Sequence, residues 1–106
     1  MAVAEHVITI EEERILRRAL WDLVLTPREL LDIVEGRGSR DWPSRGFCVA
    51  RLLESINWLD LVRIVKPELL CSMWPEARSH VRRPTIREGM DFACRFLSRR
   101  SLSAAG

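Results

Sequence analysis

Apolar positions along this chain recur mostly three and four residues apart, which is the spacing of one face of a helix. Ile15, Leu16, Ala19, Leu20 and Leu23 share such a face and predict a first helix from about Ile10 to Leu25. A short second helix is expected over Pro27 to Glu35, with proline at its first position and Gly36 as its stop. The stretch from Gly36 to Gly46, rich in arginine and turn residues, reads as a loop. A third helix follows from about Phe47 to Ile56, and Asn57 caps a fourth from Trp58 to Val65. In that fourth segment only Asp60 and Arg63 are polar, the pattern of a helix buried on all sides at the centre of a fold. Pro67 opens a fifth helix that reaches Trp74, and Pro75 to Pro84 reads as a second basic loop. The last helix spans Thr85 to about Arg99, with Ile86, Met90, Ala93 and Leu97 as its core stripe.

Helix starts reinforce this pattern. Thr9 with Glu12, Thr26 with Glu29 and Thr85 with Glu88 each match T-x-x-E. In that arrangement the threonine hydroxyl accepts from an orphan N–H of the first turn, and the glutamate reaches back to the cap N–H. Glu13 with Arg17 and Arg18 with Asp22 add four-apart pairs of opposite sign. No segment alternates apolar and polar residues long enough for a strand, although Val7 to Ile10 suits a short extended arm. The expected fold is therefore all-α, a compact bundle of five or six short-to-medium helices. It divides into an N-terminal arm (1–8), a single helical domain (9–100) and a disordered tail (101–106) with nothing to bury.

Two stretches resemble each other, WDLVLTPRELL from Trp21 and WLDLVRIVKPELL from Trp58. Tryptophan and proline stand six residues apart in the first and nine apart in the second. A functional loop would not keep its geometry through that change. Shared helix-break-helix grammar is the favoured reading, ahead of an ancient duplication or a site used twice.

At 106 residues the chain is long enough for one core without staples. No apolar run approaches the roughly 20 residues of a membrane span, and the first residues lack the pattern of a secretory signal. These features point to a small bacterial protein of the cytoplasm. Three cysteines, Cys48, Cys71 and Cys94, cannot all pair with one another. Each lies among apolar residues, so free buried thiols in a reducing compartment are expected. His6 and His80 have no ligand-spaced neighbour, so no metal site is expected.

Motifs for catalysis are missing. The chain holds no phosphate-binding glycine loop, no His-Glu-x-x-His and no Gly-x-Ser-x-Gly. Glu11, Glu12 and Glu13 suit the first turn of a helix, where its dipole favours negative charge. His80 has no acid near it in sequence. Neither catalysis, nor a cofactor, nor a small-molecule ligand is expected.

Charge is unevenly placed. The net charge is +2, yet residues 1–35 carry eight acids and four arginines, whereas residues 36–106 carry seven acids and thirteen bases. Arg40, Trp42 and Arg45 in the first basic loop, with Arg78, Arg82, Arg83 and Arg87 around the second, form a candidate nucleic-acid surface spanning 37–45 and 78–87. Arginines there would hold phosphate, and an interleaved aromatic would stack on a base. The acidic N-terminal third weakens that reading. So does the four-apart series Arg87, Asp91 and Arg95, which suits a self-neutralising helix face.

Protein contact is the favoured function. On a helical wheel Trp21 falls beside Arg14 and Arg17, and Phe92 falls away from Met90 and Leu97. A large aromatic on a charged face is covered by another segment, held by cation–π contact, or used as an interface anchor. The expected partner is a second copy of the chain or a protein that it regulates, as an antitoxin-like subunit does. Trp42, by contrast, suits a plug of its own loop.

Overall fold

The structure, a computed structural model, describes residues 7–37 and 43–105, with side chains as far as residue 99. The fold is all-α. Six helices are described: α1 (Ile10–Arg17), α2 (Pro27–Val34), α3 (Arg45–Ser55), α4 (Trp58–Ile64), α5 (Pro67–Ala77) and α6 (Pro84–Ala105). A single 3₁₀ turn, Arg78–His80, follows α5. No strand occurs among the described residues.

Two of the three threonine caps form as the sequence predicts. Glu12 N–H donates to Thr9 Oγ1 at 3.1 Å, and Thr9 N–H donates to Glu12 Oε1 at 3.0 Å. Thr26 and Glu29 repeat the exchange at 3.1 and 2.9 Å. The third does not form, because Thr85 already lies inside α6. Pro84 takes the first position, where its fixed φ suits a helix start. Ser44 and Asn57 cap α3 and α4 through their side-chain oxygens. Pro27 and Pro67 each open a helix, so the ends of the two similar stretches share a role. Their tryptophans do not, since Trp21 sits in a turn and Trp58 begins α4.

α3 runs through the middle of the core. It packs chiefly on α5 and α2, with Cys48, Val49 and Leu52 fully buried. Gly46 permits the close approach to α5, because a Cβ there would lie 3.2 Å from the backbone of Glu76. Leu16 of α1, Leu30 and Leu31 of α2, and Leu70 of α5 complete the interior. At the end of α2, Gly36 adopts a left-handed φ of 84° that turns the chain out of the helix.

Several boundaries differ from expectation. α1 stops at Arg17 rather than Leu25. Residues 18–23 instead make tight turns, with Ala19 N–H donating to Leu16 O at 3.0 Å and Leu20 N–H to Arg17 O at 3.1 Å. Ala19 and Leu20 remain buried, so core contact holds the segment without helical continuation. The Arg18–Asp22 pair is lost in consequence: Arg18 reaches Asp60 at 3.4 Å, and Asp22 meets Arg51 at 3.0 Å. The expected Glu13–Arg17 pair is present at 2.6 Å. α5 passes through Pro75 to Ala77, since a proline in the last turn removes only one backbone hydrogen bond. The second basic loop thereby shrinks to the 3₁₀ turn and residues 81–83. α6 continues to Ala105, where a disordered tail had been expected.

α4 is not central. Leu61 and Ile64 face the core, but Leu59 is 72% exposed and Trp58 is exposed beside it. Seven residues make only two turns, too short to be enclosed on every side. The expectation of three free thiols also fails. Cys71 and Cys94 form a disulfide with Cα atoms 5.3 Å apart, joining α5 to α6. Spacing along the chain gave no hint of it, because helix packing brings the two sulfurs together. Only Cys48 remains free and buried, and burial pushes its thiol up to about 11 against a smaller opposing pull from Arg51. With Cys71 and Cys94 bonded, the cysteines do not point to a reducing compartment. Among the described residues, no helix is long and apolar enough to cross a membrane.

Candidate interaction surface

α6 is held to the rest of the fold along one side only. Besides the disulfide, Asp91 accepts from Trp74 Nε1 at 2.7 Å and from Arg78 Nε and Nη2 at 3.1 Å each. Arg87 turns back to donate to Val81 O at 2.7 Å. Hence the expected self-neutralising series does not form: Arg78 takes Asp91, and Arg95 donates only to the Asp91 backbone carbonyl. These contacts place Asp91 and Cys94 toward α5.

The Arg78 guanidinium, and then the Trp74 N–H, hold the Asp91 carboxyl below its ordinary value of 3.8, with desolvation opposing them weakly. A carboxylate depressed on folding stabilises the fold above its unfolded pKa, and that contribution is lost as pH falls through the folded value. Unfolding midpoints in urea should therefore decline on acidification below about pH 4. Asp91→Asn should flatten that part of the profile, and an unchanged acid slope would show that Asp91 is not a source of it.

The other side of α6 lacks cover. Phe92 is 69% exposed and Phe96 is 53% exposed. Beside them Ile86, Gly89, Met90 and Ala93 form one wall of a groove of about 560 Å³, closed on its far side by Leu53, Ile56, Trp58 and Leu61. The groove is mostly apolar, with Glu54, Asn57 and Arg83 at its edges. Gly89 deepens it, since nothing lies within 4 Å of where a Cβ would stand.

A second cleft, of about 600 Å³, has a different character. Trp21 and Asp22 border it on one side, Phe47, Arg51 and Glu54 of α3 on another, and His80, Arg82 and Arg83 on a third. Arg51 ties it together: its Cζ lies 5.7 Å from the Trp21 ring and 5.5 Å from the Phe47 ring, and its guanidinium pairs with Asp22.

The residues singled out from sequence divide between these features. Trp21 is 77% exposed, and its cation partner is Arg51, not Arg14 or Arg17. Ending α1 at Arg17 removes the helical wheel on which those neighbours were assigned. Arg14 is exposed, and Arg17 pairs with Glu13. Phe92 is exposed on α6, while Trp21 lines the polar cleft, so the two belong to separate surfaces. Sequence reasoning missed Phe96, Gly89 and Trp58. The four-residue step from Phe92 to Phe96 was a usable signal, because it sets both rings on one face away from Met90.

Within the candidate nucleic-acid set, Arg40 and Trp42 lie outside the described residues. Arg45 Nε donates to Val34 O at 2.8 Å and so closes the end of α2. With Arg78 on Asp91 and Arg87 on Val81, three of the arginines serve the fold. Arg82 and Arg83 are exposed, and their guanidinium groups have no partner among the described residues. No group of metal-ligating side chains occurs among the described residues.

No protein family, no curated protein and no solved structure matches this chain significantly.

Proposed function

We propose that this protein works by protein–protein contact, as one half of a homodimer or as a regulatory subunit, and that α6 carries the contact. The supporting observation is the pair Phe92 and Phe96, both exposed, standing three residues along α6 from Gly89 and Ala93 respectively, which line an open apolar groove. A small soluble domain seldom shows water two phenylalanines beside an unfilled apolar channel, and aromatic rings of this kind dominate interface energetics. Trp21, the other expected anchor, is partly satisfied by Arg51 and ranks second.

Nucleic-acid contact is the weaker reading. It keeps one specific support: Arg82 and Arg83 line the same polar cleft as the exposed Trp21 ring.

A photo-reactive phenylalanine analogue placed at position 92, 96 or 21 in cells making the protein separates the two. Discrete protein adducts from 92 and 96, but not from exposed Ser72 on α5, are the expected result. Adducts no stronger than those from Ser72 would refute the contact role of α6. Nuclease-sensitive adducts from position 21 would favour the second reading.

A further inference from the structure

We infer that the partner of α6 is α6 of a second copy, packed antiparallel in one defined register. This rests on the protein-contact reading and adds the identity of the partner.

The inference comes from where knobs and holes fall on one helix. α6 is 22 residues long, about 33 Å at 1.5 Å per residue. Its open face carries two large side chains, Phe92 and Phe96, and two small ones, Gly89 and Ala93. A two-fold axis level with the midpoint of residues 92 and 93 brings Phe96 of each copy opposite Gly89 of the other. The same axis sets Phe92 opposite Ala93. Each large residue then meets a small one, twice over, which is the self-complementarity that a two-fold interface requires. The space above Gly89 is open in the single chain, so the notch is already formed and the incoming ring displaces only water.

Charge fits the same register. Glu88, Phe92, Arg95 and Arg99 follow one another at four, three and four residues, so the charged groups run along one flank of the phenylalanine stripe. The axis places Glu88 level with residue 97 of the second copy, between its Arg95 and Arg99. None of Glu88, Arg95 and Arg99 has a salt bridge among the described residues; Arg95 Nε donates to the Asp91 carbonyl, which leaves Glu88 and Arg99 as the groups free to cross the interface. A parallel arrangement would instead align Glu88 with Glu88 and Arg99 with Arg99, which repels.

Sedimentation of the oxidised full chain tests this. The expected mass at high concentration is twice the 12.3 kDa of one chain. Gly89→Leu is the decisive variant. A Cβ there would have no neighbour within 4 Å, and leucine favours a helix over glycine, so the monomer should keep its fold with a thermal midpoint no lower than that of the parent. Filling the notch should nevertheless weaken the dimer about ten- to a hundredfold. A surface that is merely sticky would associate as well or better with the added leucine. Charge reversal gives a second check: Glu88→Arg and Arg99→Glu should each weaken the dimer, and the double variant should restore it. A chain that stays monomeric at every concentration overturns the inference, as does a dimer that Gly89→Leu leaves unchanged or tightens. If position 96 then forms an adduct with a different protein, the contact role of α6 stands and only the second copy is excluded.

Discussion

Leu52→Ala should lower the unfolding free energy by about 3–4 kcal/mol, while Leu59→Ala, seven residues further on, should change it by less than about 0.5 kcal/mol. Both sit in stretches rich in apolar residues, and sequence alone favours Leu59 as a core position. The structure separates them: Leu52 is fully buried in α3, whereas Leu59 stands 72% exposed on α4. Removing the Leu52 side chain deletes its transfer free energy and opens a cavity between α3 and its neighbours. A domain of this size is stabilised by only about 5–10 kcal/mol, so the first change takes a large fraction of the total. Urea denaturation followed by circular dichroism reads both. Equal losses at the two positions would mean that α4 is enclosed after all.

Reduction of the Cys71–Cys94 bond should cost about 3 kcal/mol. The bond spans 23 positions of sequence, and chain-entropy arguments assign roughly that amount to a loop of such length. The loss has a particular location. α6 is fastened to α5 by the disulfide and by the cluster of Trp74, Arg78 and Asp91, so a dithiol reductant leaves the polar cluster to hold the helix. Hydrogen exchange should show faster exchange in α6 after reduction, with α3 least affected. The thermal midpoint should fall by about 10 °C or more, at a few degrees per kcal/mol for a domain of this length. A midpoint unmoved by reduction would show that the link contributes nothing to the folded state in solution.

Much of the architecture was legible because the helix signals are local. Threonine and asparagine caps, prolines at first positions and the three-to-four spacing of leucines act within a single turn, and they located all six described helix starts to within two residues. What escaped was decided across the chain. The end of α1 has no glycine or proline to mark it, and Asp22 is drawn to Arg51 on another helix. α4 has the composition of a central helix, yet two turns cannot be surrounded, so Leu59 is left exposed and Trp58 borders the groove. The disulfide was invisible for the same reason: residues 71 and 94 are neighbours only once α5 and α6 pack. Of the candidate site, Phe92 was identified through its position on a wheel, but Gly89 carried no sequence signal. A glycine inside a helix is noticed for the stability it forgoes. Its value as a vacancy appears only when the surroundings are known.

Cys48 offers the molecule a built-in gauge of its own breathing. With the other two sulfurs tied to each other, an alkylating reagent meets a single nucleophile, shut inside α3 and kept protonated by its surroundings. Modification must wait for the interior to part, so its rate counts those excursions. Bringing two α6 helices together should leave that rate unchanged if they merely touch, and slow it if assembly steadies the whole domain.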